Sequence, residues 1–313
     1  MKELKSIGKV LSSEELNEQI EEIHEMKLSR VDKQKALIEL GLKAEDLRII
    51  HNGMYFNPFA PIRVVTKRGV SFTYGVEIEC FAPHIRLAET SVANGVRMAL
   101  ESYNHRDNKT YYKLVHDASV RSSNVDEDRN SIECVSPILK GAAGFKSLKL
   151  ACQTLNDAGA SVNKTCGLHV HIGADKLTQV QIVNVYKNYQ RLESVIDSFM
   201  PASRRNNTYA IALRGLNFSE CTTNEDILSV MRYSRYYKVN ACALSRHNTI
   251  EFRQHGGTTN FVKIQKWVKF LIKLVEWSME NVFNSDVESV DDIPFLNTAE
   301  KRYFKARIAS LKA

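Results

Sequence analysis

Three short segments far apart in the chain place ionisable side chains two residues apart: Glu77-Ile78-Glu79, His169-Val170-His171 and Glu251-Phe252-Arg253. A strand sends alternate side chains to opposite faces, so each pair shares one face. Val76, Ile78, Leu168, Val170, Ile250 and Phe252 then line the other. Ser131-Ile132-Glu133-Cys134 repeats the pattern, with Glu133 opposite Ile132 and Cys134, and Ser203-Arg204-Arg205-Asn206-Asn207 follows the end of a long helix. Four glutamates with a histidine make a hard, oxygen-rich cation site, better suited to Mg²⁺ or Mn²⁺ than to zinc. Arg253, Arg204 and Arg205 offer planar forks that match phosphate oxygens. Metal ions bridging phosphates beside arginine clamps are the working parts of phosphoryl transfer. Singly, Glu-x-Glu is an ordinary solvated strand face and Arg253 an ordinary ion-pair partner. Their joint occurrence on strands is what points to a site.

The elements that must position these groups begin at Ser71. Alternation predicts strands over 72–81, 111–116, 131–136, 160–163, 167–173 and 242–255, the last a hairpin turning near His247-Asn248. Helical spacing predicts helices over 88–104, 144–158 (ended by Gly159), 178–199 (stopped before Pro201), 223–238 and 260–283. No glycine-rich phosphate loop of the P-loop or dinucleotide type follows any strand. The mixture favours an α+β fold with a mainly antiparallel, curved sheet and packed helices. Residues 1 to 70 are expected to form a helical module and connector, and 71 to 313 the catalytic domain. In the module, Ser12 with Glu15 makes a capping box opening a helix, and a strand is expected at Ile62 to Thr66. The stretch KQKALIELGLKAEDLRII has a helix–Gly–helix look that would allow contact with nucleic acid. Its charges almost cancel, so a lid or docking role is favoured.

Composition sets the outer bounds. Of 313 residues, 43% are apolar and 25% charged, the balance of an ordinary globular protein. A formal charge of +7 fits an acidic substrate such as a nucleotide, without arguing by itself for nucleic acid. The start, MKELKSIGKV, lacks a signal-like apolar run, and the stretch from Phe261 to Phe283 carries too many lysines to span a bilayer. A cytoplasmic protein without membrane contact is the expectation. The six cysteines form no C-x-x-C pair, which implies free thiols in a reducing compartment. Cys166 and His169 have zinc-like C-x-x-H spacing, but on one strand they point to opposite faces, leaving Cys166 buried.

The segments TYGVEIEC, HDASV, IECVSP, CGLHVHIG, SRRNN and TIEFRQHGGT, in that order from about Phe72 to Trp267, resemble the amidoligase family. Its members are similar to glutamine synthetase and glutamate–cysteine ligase, and relatives of this kind occur in bacteria and phages. The resemblance implies a glutamine synthetase-like catalytic fold and an ATP-dependent ligase joining a carboxylate to an amine. The acceptor or donor could be a peptide or another macromolecule. It further implies that Glu77, Glu79, Glu133, His169 and Glu251 hold two or more Mg²⁺ ions. His171 would face the nucleotide phosphates, Arg253 would neutralise the transferred phosphoryl group, and Arg204 and Arg205 would bind ATP phosphates or the acid. A nearby carboxylate or His255 could take the amine's proton, since His255 shares a face with Glu251 and Arg253 if the strand persists. His255 is more simply read as a hydrogen-bonding residue shaping the Gly256-Gly257 loop. Asp117-Ala118-Ser119 stands where the family usually has Asp-Gly-Ser. If that turn demands a positive φ, Ala118 strains it, which argues against a supporting role for Asp117 or Ser119. Two alternatives from other classes are a metal-dependent hydrolase or phosphotransferase, and a nucleic-acid-binding protein with an inactive ligase-like domain.

Overall fold

An eight-stranded, mostly antiparallel sheet carries the architecture. The computed structural model describes residues 72–102, 110–122 and 130–312, all within one compact unit, Val70–Ala313. The helices expected before residue 51, the strand at Ile62 to Thr66 and the helix–Gly–helix stretch lie outside the described residues.

The strands are β1 (Thr73–Phe81), β2 (Met98–Glu101), β3 (Tyr112–His116), β4 (Ser131–Val135), β5 (Leu139–Lys140), β6 (Gly167–Gly173), β7 (Val239–Asn240) and β8 (Thr249–Gly256). Their order is β2-β3-β4-β1-β6-β8-β7, with β5 against one end of β1. Only β2 and β3 pair parallel; β1, β4, β6, β7 and β8 pair antiparallel. The helices are α1 (His84–Ala93), α2 (Gly141–Asp157), α3 (Gln179–Ser198), α4 (Asn224–Val230), α5 (Cys242–His247), α6 (Phe261–Ser278) and α7 (Thr298–Lys312). None among the described residues is long and apolar enough to cross a membrane.

Local chemistry sets the main boundaries. Thr178 and Gln181 close a capping box at the start of α3, Thr178 Oγ1 accepting from Gln181 N and Gln181 Oε1 from Thr178 N. Gly159, at φ +82°, lies just beyond the end of α2. The Asn260 side chain accepts from Lys263 N to open α6, whose Ile264, Trp267, Val268, Leu271, Leu274 and Val275 are all buried. These residues recur at helical spacing and form one stripe. The strands contribute Val76, Ile78, Leu168, Val170, Ile250 and Phe252 to the same core, each at most 1% exposed. The apolar face expected from alternation is therefore the buried one.

Five expected elements differ. The helix placed at 88–104 ends at Ala93, where Asn94 and Gly95 (φ +65°) turn the chain into β2. The strand at 160–163 reduces to a single bridge between Ser161 and Phe81. The helix at 223–238 stops at Val230, because Arg232 and Tyr233 adopt left-handed φ of 51° and 54°. Residues 242–247 are helix α5 instead of a hairpin arm; Asn248, at φ 52°, ends it and β8 then pairs with β7. The helix at 260–283 ends earlier, at Ser278. Helix α7 was not anticipated, although Asn297 and Glu300 cap it reciprocally, Glu300 N donating to Asn297 Oδ1 and Asn297 N to Glu300 Oε2.

Candidate active site

Pairing across the sheet brings the ionisable pairs into rows. Glu77 lies opposite His169, Glu79 opposite Glu133, and His171 opposite Glu251. Directly opposed residues in a sheet share a face and lie close enough to interact. The result is a cleft of about 530 Å³ whose floor includes Glu77, Glu79, Glu133, His169, His171, Glu251 and Arg253.

His169 sits in the middle of the acids. Its Nδ1 is 3.1 Å from Glu77 Oε2, 3.8 Å from Glu251 Oε1 and 3.9 Å from Glu133 Oε1; its Nε2 is 3.4 Å from Glu79 Oε1. Glu79 also accepts from Gly167 N at 2.6 Å. A Cβ at Gly167 would lie 3.0 Å from His169 Nε2, 3.1 Å from Arg204 Nη2 and 3.3 Å from Glu79 Oε2, so the bare glycine is what lets these three approach. His171 Nδ1 shares a hydrogen bond with Thr249 Oγ1 (2.8 Å). Its buried Nε2 lies 3.3 Å from Glu77 Oε1 but makes no hydrogen bond. Arg253 Nη1 donates to Glu251 Oε1 at 2.5 Å, while Asn240 Nδ2 donates to Glu251 Oε2, also at 2.5 Å. Arg253 Nε is buried without a partner.

Electrostatics follow from this crowding. Burial pushes the Glu133 carboxyl well above the ordinary range, and Glu77, Glu79, Asp117 and Glu251 push it further. Burial also pulls upward on Glu77, but His171, with His169, holds that carboxyl well below its usual value. Glu251 is lowered, because Arg253 and then His171 outweigh its burial. The partners respond in kind: Glu77 raises His171 against its burial, and Glu251 does the same for Arg253.

The donor set fits a hard divalent cation. Three groups of side chains each bring ligand atoms within 4.8 Å of one another: Glu77 with His171 and Glu251, Glu77 with Glu133 and His169, and Glu79 with Asp117 and Glu133. Buried like charges at this density call for a compensating cation, and carboxylate oxygens with a neutral imidazole suit Mg²⁺ or Mn²⁺. His171 Nε2 is buried without a hydrogen bond, facing Glu77 within this donor set.

Not every expected residue reaches this cleft. Arg204 is buried, and its guanidinium donates to the main-chain oxygens of Arg253 (2.5 Å) and Gln254 (3.3 Å). Arg205 is exposed outside the cleft, its Nε donating to Met200 O at 3.1 Å. His255 faces away. Val170 pairs with Phe252 but Leu168 pairs with His255, so Arg253 and Gln254 together oppose His169 in a β-bulge. The extra residue turns His255 to the helix side, where its ring lies 5.8 Å from that of Trp267 and its Nδ1 bonds Gly256 O at 2.7 Å. Burial takes its pKa down to about 4. The simpler reading of His255, as a shaper of the glycine loop, is the one its contacts match. Cys166 is buried beside Phe81 and Val120, and all six cysteines are free.

Asp117 is the correction in the other direction. Ala118 is not among the residues at positive φ, so no strain arises there. Ser119 donates to Asp117 Oδ1 through both its N–H (2.8 Å) and its hydroxyl (2.7 Å), and Asp117 lines the cleft beside Glu79 and Glu133. Asn240 and Thr249, which orient Glu251 and His171, carried no motif that could have marked them.

Comparison with known proteins places these residues in context. The family described as "putative amidoligase enzyme" matches residues 71–275. No curated protein matches the chain. Among solved structures the chain is similar to a bifunctional glutathione synthetase from Pasteurella multocida, with 12% identity and a TM-score of 0.33. That alignment covers 77% of this chain and 40% of the synthetase.

Proposed function

This chain belongs to the family of putative amidoligase enzymes, and on that premise we propose that it is an ATP-dependent carboxylate–amine ligase working through an acyl phosphate. The observation that carries the reading is the convergence of four glutamates on His169, with Arg253 alongside, inside the matched span. We take the fold to be of the glutamine synthetase and glutamate–cysteine ligase kind, with the open sheet face as platform for nucleotide and substrates.

Glu77, Glu79, Glu133, His169 and Glu251 would hold divalent metal, with Asp117 as a further ligand. Bound there, Mg²⁺ supplies charge neutralisation across the nucleotide phosphates. Arg253, which lines the cleft, would present its guanidinium to the transferring phosphoryl group, while Nη1 keeps it registered on Glu251. His171 lines the same cleft and would face the nucleotide, its ring orientation fixed by Thr249. Asn240 does the same for Glu251.

The chemistry runs in two steps. A substrate carboxylate oxygen attacks the γ-phosphorus and the bond to ADP breaks, giving an acyl phosphate. The amine nitrogen then attacks the carbonyl carbon, the C–O bond breaks, and phosphate leaves with the carboxylate's oxygen. Phosphorylation is needed because a carboxylate oxygen is otherwise a poor leaving group. With His255 turned away, the amine's proton falls to a cleft carboxylate.

The test is oxygen transfer. ADP release should require acid and amine together, and label from an ¹⁸O-carboxylate should appear in the released phosphate. ADP release that needs no amine, with unlabelled phosphate, would assign the site to a hydrolase.

A further inference from the structure

The bulge that turns His255 away also interrupts the β6–β8 ladder where Arg253 is held. A bulge leaves main-chain groups to be satisfied by something other than the partner strand. Here both carbonyls of the bulged pair, Arg253 O and Gln254 O, accept from the single guanidinium of Arg204, which is only 4% exposed. On the other side, Arg253 N donates to Lys238 O at 2.8 Å. The Gln254 side chain is fully buried; its Nε2 donates to Asp197 Oδ1 at 2.5 Å and its Oε1 accepts from the Tyr189 hydroxyl. Asp197 and Glu193 in turn take the buried ammonium of Lys238, at 2.7 and 2.8 Å. The concealed side of the bulge is thus held by main-chain hydrogen bonds, the Tyr189 hydroxyl and a buried ion-pair network. Among the described residues, Arg253 Nη1 is held by Glu251 and its buried Nε makes no hydrogen bond.

We propose that Arg204 is a positioning residue, which sets the aim of Arg253 by clamping the two bulge carbonyls, and that it touches neither nucleotide nor acid. A planar guanidinium spans two carbonyls at fixed spacing, which an ammonium or an amide cannot reproduce. The burial of Arg204 and its absence from the cleft lining agree with this division of labour between two arginines. In giving Arg253 a reaction to be aimed at, the inference rests on the ligase reading; the mechanical link from Arg204 to Arg253 does not.

A double-mutant cycle on the full chain separates the roles. Affinity for Mg²⁺ with a non-hydrolysable ATP analogue is measured by calorimetry for Arg204→Gln, Arg253→Gln and the double variant, each checked by circular dichroism. Arg204→Gln should weaken binding by about as many fold as Arg253→Gln, and the double variant should be no weaker than Arg253→Gln alone. Multiplied losses, or an Arg204→Gln variant that binds as wild type, would overturn the proposal. A second arm needs no ligand. The ¹⁵N-Nε resonance of Arg253, assigned by its disappearance in Arg253→Lys, should shift in Arg204→Gln and return on adding guanidinium to Arg204→Gly. A resonance that stays in place overturns the link even if the wild-type chain binds no nucleotide, the outcome that would remove the ligase reading instead.

Discussion

Glu79 shows how tightly one residue can be specified. One carboxylate oxygen faces His169 Nε2 and the other accepts from Gly167 N. Glu79→Gln keeps an oxygen for Gly167 but removes the charge that a divalent cation would share with Glu133. Its Mn²⁺ affinity, read by electron paramagnetic resonance, should fall by tenfold or more with an unchanged circular dichroism spectrum, since ligand-sphere changes cost about 10- to 100-fold even one shell out. At Ala118 the opposite holds. With no positive φ to relieve, Ala118→Gly should leave Mn²⁺ affinity at the wild-type value. Stability should drop by about 0.4–1 kcal/mol, through the extra freedom of the unfolded chain, a change that urea denaturation reads directly. A gain in metal affinity from that substitution would show that alanine does strain the turn.

The strands decide at element scale which groups face the cleft, and two loops decide how strands meet. Gly257 N donates to Cys166 O at 2.8 Å, and a Cβ at Gly257 would sit 2.4 Å from Cys166 Cβ and 3.0 Å from its carbonyl carbon. The loop leaving β8 is thus pressed against the turn entering β6. Gly257→Ala should destabilise by about 1–3 kcal/mol, the usual range for overpacking, as a lower urea midpoint at unchanged slope. The bulge makes a pH prediction. Half-buried His255, packed against Trp267, has its pKa lowered from 6.5 to about 4, so between those values the unfolded chain binds a proton that the folded chain refuses. Its contribution is complete above pH 6.5 and is lost as pH falls toward about 4. The thermal midpoint of the metal-free protein should decline across that window, and less steeply in His255→Gln. Parallel declines in the two proteins would mean that His255 is not the group being titrated.

At the scale of the whole molecule, the cleft-lining residues among those described run from Thr73 to Arg253, and the match to the family begins at residue 71. We expect residues 1–70 to contribute no ligand to the site. A soluble 71–313 fragment should bind Mg²⁺ and an ATP analogue with the affinity of the full chain by calorimetry. A folded fragment that no longer binds would make the N-terminal residues part of the site. The ring packing that anchors α6 and α7 behind the sheet, Phe199 against Trp267, Phe270 and Phe304, lies wholly inside this fragment.

What the sequence determined by itself was local and periodic. Two-residue alternation put Glu77 with Glu79, His169 with His171 and Glu251 with Arg253, and put Val76, Val170 and Phe252 behind them. The capping box at Thr178 and the left-handed Gly159 likewise mark their helix ends without reference to anything distant. What only the tertiary structure decided depends on pairing between distant segments. The alternation of β8 persists through Arg253, yet His255 lies on the wrong face, because the bulge is a mismatch with β6 that β8 alone does not encode. Arg204 and Arg205 are neighbours in sequence, but the carbonyls exposed by that bulge claim Arg204 while Arg205 is left in solvent. Asp117 joins Glu79 and Glu133 because β3 docks beside β4, a contact between strands that share no local signal.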